Sequence, residues 1–566
     1  LQSVDRNPGV VDVSSSRASG FFNRPIAWAL CLMLLIGIGI VRIVATYHVF
    51  NHTIDEGAHV ACGIEWLEKG QYRYETLHPP LARISVALGP YLAGVRGTGQ
   101  PYMWGEATYI LSSNGNYWHN LTLARMAVLP YFALLTTVVF LWARRLYGAP
   151  AGLLAAAVFT LLPTVLAHSA VATTDIAFTA FFCAALYRFT LLLEKPDWRN
   201  GVWFGVTAGL SLSTKLSTVV FLPACMGLIL LLYLLSGRAE RRALVKPALL
   251  AVVCAVLVVW SAYRFSHASL AEATALPQRA AAKVFGKSSW LTNGVQTTAA
   301  KIQVPAPEFF DGIRSVREQN REGRRNFLFG HVKRDGWWYF FLVALTLKTP
   351  LAVLLLAAFG AGTTLGPWWR DRSKWEEVAP LGAAIAILIV TAPSHINIGV
   401  RHVMPEFVFL SMFAGTALVA LWRANRWRLL ARCAAMLLCI WLVVSSIRAH
   451  PDYLAYFNEL GGSDPSRLLV VSDFDWGQDL SRLATYLNEH QIPQVSVIYD
   501  GFFDPPALGF PATRLMHCGD QPSGWVAMEI RVARRYSECY PWFTQQTPVA
   551  IVGKTMWVFR MPEHSN

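Results

Sequence analysis

The chain has 566 residues, 54% of them hydrophobic and only 15% charged, with 21 tryptophans and a formal net charge of +14. These proportions exclude a soluble globular protein and define an integral membrane protein. Apolar runs near the ~20 residues needed to cross a bilayer recur over the first 450 positions.

The first run, "PIAWALCLMLLIGIGIVRIVATY" from Pro25, follows a segment carrying Arg6, Arg17 and Arg24 with no apolar stretch of its own. It reads as an uncleaved anchor rather than a signal peptide. About eleven spans are expected, at 25–46, 122–143, 150–167, 175–193, 200–216, 218–236, 247–265, 338–361, 378–394, 403–422 and 430–448. The short connections Arg144–Arg145, "SGRAERRALVK", "WWRDRSKWEE" and "WRANRWRLLAR" concentrate Arg and Lys, which places them inside. The expected division is a cytoplasmic segment 1–24, a transmembrane domain 25–449 with outer loops 47–121 and 266–337, and an outer domain 450–566. The outer face is therefore where function is sought.

In the first outer loop, "HPPLARISVALGPYLAG" is too short to cross and is interrupted by Arg83, Gly89 and Pro90, so it predicts helices lying at the interface. The second outer loop gathers Arg314, Arg317, Arg321, Arg324, Arg325, Lys333 and Arg334. Two readings stay open for it, a patch facing phosphates or a helix on anionic headgroups; the aromatics in "FFDGIRSVREQNREGRRNF" favour the headgroups, and nucleic acid is not an expected partner. Beyond Arg448, "SRLLVVSD", "QVSVIYDG", "GWVAMEI" and "VAIVGKTMWVFRM" read as strands and "GQDLSRLATYLNEHQ" as a helix, giving a small α/β domain without a glycine-rich phosphate loop. Seven of the nine cysteines lie in or beside spans, while Cys518 and Cys539 stand apart in the tail, where a disulfide is plausible in an oxidising compartment.

Ionisable groups bordering a bilayer are costly unless they face a cavity. Here they share one side: Asp55, Glu56, His59 and His78 in the first loop, Asp175 in "AVATTDIAF", Lys215 at the outer end of a span, and His395, Arg401 and His402 in "PSHINIGVRH". A carboxylate base among cations that hold an anion suits group transfer from a phosphate leaving group. Each residue also has a structural reading. Asp55 and Glu56 follow Thr53 at a helix start, where capping accounts for them equally well, and Asp175 could cap a span. Lys215 could snorkel, Arg401 could anchor the interface, and the histidines could be structural. Asp55, Glu56 and His59 share a helical face but lack a second ligand pair, so a divalent cation stays an open question.

Several blocks carry a resemblance: "TIDEGAHVACGIEWLEKGQYRYETLHPPLARI", "TTDIAFTAFF", "GLSLSTKLSTVVFLP", "WWYFFLVALTLKTPLAVLLL", "NIGVRHVMPEFVFL", "HPDYLAYFNELGG" and "SDFDWGQDLSRLATYL", in order from about Asp55 to Leu487. Together they resemble the protein O-mannosyltransferase-like branch of the C-type glycosyltransferases, membrane enzymes that use polyprenyl-phosphate sugars. The resemblance implies an all-α polytopic membrane domain and transfer with inversion to an acceptor hydroxyl. It implies Asp55 as the general base and Glu56 as a residue positioning the acceptor or Asp55. His78 stands where the related aminoarabinose transferases have Lys before the two prolines. His78, Arg83, Lys215, Lys348 and Arg401 are the candidates for the donor phosphate, with His59, Asp175, His395 and His402 in support. An α/β tail departs from the β-rich domain of the eukaryotic mannosyltransferases, leaving protein, lipid or glycan acceptors open. The blocks look bacterial, implying the inner membrane, so the sequons at Asn51 and Asn120 carry no weight. A flippase, which predicts inverted repeats not seen here, and a noncatalytic subunit are the alternatives.

Overall fold

The computed structural model describes residues 25–237, 241–274, 283–284, 286 and 290–562. The segment 1–24 and part of the connection "SGRAERRALVK" lie outside the described residues. Eight described helices are long and apolar enough to cross a membrane, from Pro25–Val44 to Arg428–Arg448. The pair Ala149–Leu161 and Pro163–Ser169, bent by 67°, makes a ninth if it counts as one span. This is a multi-span membrane protein.

The difference from eleven expected spans has local causes. Trp198–Leu212 and Trp375–Thr391 are helices where spans are expected but have only 15 and 17 residues. The run 338–361 is broken into Phe340–Lys348 and Leu351–Arg370, because Pro350 forces the preceding Thr349 into an extended conformation (φ −105°, ψ 131°). Leu162 before Pro163 is extended for the same reason. The helices Asp175–Glu194 and Pro405–Arg423 have 72% and 67% of their apolar windows buried, against 22% for the first and last spans. They form the centre of the bundle, and both begin at the functional residues described below.

The first outer loop is helical as expected, with Ile54–Lys69, Pro80–Leu92 and Met103–Tyr109; Pro80 starts its helix at a position where the missing N–H costs nothing. The second outer loop contains the helix Pro307–Glu322 and an antiparallel hairpin pairing Asn326–Leu328 with His331–Lys333.

The tail is an α/β unit. Gln494–Ile498 pairs in parallel with Ala512–Leu515 and with Gly524–Glu529, and Met556–Met561 runs antiparallel to Gly524–Glu529 and to Ala550–Val552. The helix Leu480–Glu489 buries Leu480, Leu483, Ala484 and Leu487, its one apolar face. Cys518 and Cys539 form a disulfide. One expected strand is corrected: "SRLLVVSD" forms a turn at Pro465–Arg467 and a short helix at Val471–Phe474. Its carbonyls are committed elsewhere, Leu468 accepting from Phe329 and Val470 from Phe474 and Asp475. Leu469 and Val470 are buried there without a sheet.

Candidate active site

Thr53 precedes the helix Ile54–Lys69, and the Glu56 carboxylate reaches back to the Thr53 backbone N–H (2.7 Å), the return arm of a capping box. Glu56 does more than cap. Arg125 donates to both of its oxygens, from Nε at 2.9 Å and Nη2 at 3.0 Å, and the Ala172 N–H adds a bond of 2.8 Å. Arg125 also donates to the carbonyls of Tyr47, Phe50 and Asn51. The pair is buried and saturated, and it ties the first outer loop to the loop before Asp175. The Arg125 charge pulls the Glu56 carboxyl below the usual carboxylate range against the opposing effect of burial.

Asp55, one residue earlier, points elsewhere. Its side chain is 24% exposed, and its Oδ2 accepts from Arg401 Nη1 at 2.8 Å. Among the described residues no hydrogen bond reaches Asp55 Oδ1. Arg401 Nη1 lies 3.9 Å from Asp175 Oδ2, and Asp175 Oδ1 accepts from Lys215 Nζ at 2.6 Å. Four charges from four distant stretches of sequence thus form one chain, Asp55, Arg401, Asp175 and Lys215.

Each member is set by its element. Asp175 opens the central span Asp175–Glu194, whose N-terminal dipole favours a carboxylate. Lys215 sits in the break between Trp198–Leu212 and Thr218–Leu235. Arg401 stands on the turn Val400–Val403, which the tail clamps in place. Asp473 accepts from the Val400 N–H (2.8 Å), Ser472 Oγ donates to the Ile398 carbonyl (2.5 Å), and the Trp476 ring lies 4.3 Å beneath the guanidinium. Gly399 is required there: its φ is +145°, and a Cβ would stand 2.2 Å from Ser472 Oγ. Trp476 also accepts from the Ile54 N–H through its carbonyl (3.1 Å), and Asn51 donates to the Gly477 carbonyl (2.8 Å). The tail therefore touches both ends of the Asp55–Arg401 pair.

Four imidazoles border the cluster, His59, His78, His402 and His168, the last packed against the Trp476 ring at 5.9 Å. The His59 and His78 rings meet edge to face at 5.1 Å. Burial, with the Lys215 charge second, holds His78 down at about 4, and burial likewise depresses His59 and His402, so all three are neutral at pH 7. His402 Nε2 has no hydrogen-bond partner among the described residues.

Two residues expected to meet the donor phosphate have their side chains engaged within the fold. Lys348 Nζ donates to three backbone carbonyls, Leu454 (2.7 Å), Tyr456 (2.5 Å) and Asp473 (2.5 Å), so all three of its N–H bonds are spent fixing the tail. Arg83 is buried in an ion pair with Glu75 and donates to the Glu75 carbonyl, to His78 and to His59. The geometry makes it an organiser of the histidine pair. His395 is held through its backbone by Asn320 and Asn326, and no hydrogen bond or ion pair joins it to the four charges among the described residues. Among the described residues no group of three His, Cys, Asp or Glu side chains is placed to hold a metal ion.

Arg125, Glu75 and Trp476 are absent from the sequence-based set. Arg125 had a signal, a cation in the apolar run 122–143 that requires a partner. Trp476 lies in the block "SDFDWGQDLSRLATYL", but nothing in its spacing places it under an arginine.

Fold and site together describe a membrane protein with a charged, partly open centre at one face of its bundle. Residues 119–264 match the family model for dolichyl-phosphate-mannose-protein mannosyltransferase. No curated protein matches the sequence. The oligosaccharyltransferase of Archaeoglobus fulgidus in its apo form is similar in fold, with a TM-score of 0.52 at 13% identity over 92% of this chain and 72% of that one. Its complex with an inhibitory peptide and a dolichol-phosphate gives 0.52 at 12% identity over 93% and 72%. ArnT from Cupriavidus metallidurans bound to undecaprenyl phosphate aligns over 94% of this chain and 98% of that one, at 16% identity and a TM-score of 0.48. The C-type glycosyltransferase resemblance expected from the sequence is supported by the family-model match and by the shared fold.

Proposed function

We propose that this protein is an inverting glycosyltransferase that moves a sugar from a polyprenyl-phosphate donor to an acceptor hydroxyl at the outer face of a bacterial inner membrane. The match of residues 119–264 to a family described by a dolichyl-phosphate sugar supports the donor class. The observation that carries the reading is the Asp55 carboxylate, partly exposed, with Oδ1 unbonded among the described residues and Oδ2 fixed by Arg401.

In this reading Asp55 Oδ1 takes the proton as the acceptor oxygen attacks the anomeric carbon. The bond from that carbon to the phosphate oxygen breaks, and polyprenyl phosphate leaves. Arg401 and Lys215 meet the phosphate charge as it develops, and Asp175 holds both cations in place. His402 and His78, neutral, can each offer one N–H to the donor. Glu56 and Arg125 fix the start of the Asp55 helix and take no proton.

The test supplies membranes with a radiolabelled polyprenyl-phosphate sugar and compares wild type with Asp55→Asn. Loss of transfer by roughly 10²–10⁴-fold is expected for removal of a general base. Unchanged transfer rejects Asp55 in that role, and a wild-type protein that transfers no sugar rejects the reading as a whole.

A further inference from the structure

The basic stretch of the second outer loop is not used by the chemistry above, and the fold gathers part of it into a groove. The helix Pro307–Glu322 ends at Gly323, whose φ of +72° turns the chain back on itself. A Cβ on Gly323 would stand 2.4 Å from the Arg334 carbonyl, so only glycine lets the helix end approach the hairpin this closely. Asn326 Nδ2 donates to that same carbonyl (3.0 Å) and to the His395 carbonyl (2.8 Å), fixing the hairpin to the loop before Arg401.

The result is a cavity of about 510 Å³ lined by Glu322, Arg324, Arg325, Val332, Lys333 and Arg334 around Gly323. Arg325 is spoken for, being paired with Glu538 and bonded to the Arg535 carbonyl. Arg324, Lys333 and Arg334 are exposed, and among the described residues no ion pair joins them to Glu322, to Asp335 or to any other acid. Arg317 and Arg321, on the helix leading into the groove, are likewise exposed and in no ion pair among the described residues. Three uncompensated cations converging on one concavity call for an anion.

The position of the groove says where the anion comes from. Trp338, 69% exposed, lies four residues beyond Arg334, an exposed aromatic of the kind enriched at the headgroup level. Phe329, 47% exposed, stands at the tip of the hairpin. An anion at this level is carried by a membrane lipid. A second cavity, of about 480 Å³, shares Glu322, Gly323 and Arg324 with the first and continues past Ser315 and Thr76 to Glu75. Glu75 is the partner of Arg83 and His78. The groove thus adjoins a second concavity that reaches Glu75.

We propose that Arg324, Lys333 and Arg334 form a binding site for the phosphate headgroup of an anionic lipid, which they hold beside the concavity that reaches Glu75. Such binding does not depend on turnover, so it stands or falls separately from the transferase reading. Native mass spectrometry of the purified full-length protein, titrated separately with dihexanoyl phosphatidylglycerol, dihexanoyl phosphatidylcholine and inorganic phosphate, tests it. Phosphatidylglycerol is expected to bind at least tenfold more tightly than either other probe. The double variant Arg324→Gln with Arg334→Gln is expected to weaken that binding about tenfold, and Arg324→Lys with Arg334→Lys to retain most of it. Equal binding of the two lipids, or a Gln pair that binds like wild type, overturns the site. Inorganic phosphate bound as tightly as phosphatidylglycerol overturns its lipid character.

Discussion

Adjacent carboxylates at one helix start hold opposite positions here. Glu56 is fully buried with both oxygens bonded, whereas Asp55 keeps one oxygen unbonded among the described residues. Removing one partner of a buried ion pair leaves the other charge uncompensated, so Glu56→Gln is expected to cost roughly 3–5 kcal/mol of stability. Thermal unfolding in detergent should register this as a clear drop in Tm, with Asp55→Asn remaining near wild type; equal Tm values would contradict the division of labour. His52 offers a pH test. Its backbone N–H donates to the Tyr117 hydroxyl (2.9 Å), which in turn donates to Nδ1 (2.7 Å), and burial depresses the imidazole to about 4. The unfolded chain takes up this proton below about 6.5 and the folded chain does not, so stability present above pH 6.5 is lost as the pH falls toward 4. Tm should decline between pH 7 and pH 5, and less steeply in His52→Gln. At this scale the sequence picks out Asp55, Asp175, Lys215 and Arg401, which the fold joins in one chain of ion pairs, because charges bordering apolar runs stand out. It does not separate a cation paired with a carboxylate of the cluster from one spent on backbone carbonyls. Lys348 and Lys215 look alike as lysines in or beside an apolar run, and only the three carbonyls around Lys348 distinguish them.

Among elements, the turn Val400–Val403 matters most, because it carries Arg401 and is held from the tail side by Asp473, Ser472 and Trp476. A cation over an indole face is worth roughly 0.5–2 kcal/mol. Trp476→Ala should therefore lower kcat/KM for the donor about tenfold through loss of Arg401 orientation and also lower Tm, because the ring it removes is buried, and Trp476→Phe should recover part of both. A kcat/KM equal to wild type would show that the stack plays no part. Element legibility follows periodicity. The helix Leu480–Glu489 and the strands Gln494–Ile498 and Gly524–Glu529 fall where their apolar patterns place them. The segment "SRLLVVSD" misleads because Leu469 and Val470 are buried without joining a sheet, and an apolar pair of this kind imitates the run of a strand. Trp198–Leu212 and Trp375–Thr391 are apolar like full spans but shorter, the first starting where the Asp197 side chain accepts from the Asn200 N–H.

For the whole molecule, the charged connections and the Asp55 cluster fix an expected orientation. The basic links at Arg144–Arg145 and around Trp427 should face the cytoplasm, and the tail the opposite side. Alkaline phosphatase fused after the tail should be active in bacterial cells and inactive when fused in the connection 424–427; the reverse pattern would invert the topology. The helical bundle and the α/β tail are legible from composition and pattern, but the way the tail is fastened to the bundle is not, because it depends on contacts between the far ends of the chain. Asn51 bonds the Gly477 carbonyl across 426 residues, and its side-chain oxygen receives the Ser481 N–H across 430. Membrane segments enter the bilayer in order as they leave the ribosome. The chain must therefore carry Asp55 through the making of the described spans before Ser472, Asp473 and Trp476, which steady the Arg401 turn, exist. A nascent fragment that stops short of Trp476 lacks the ring beneath Arg401.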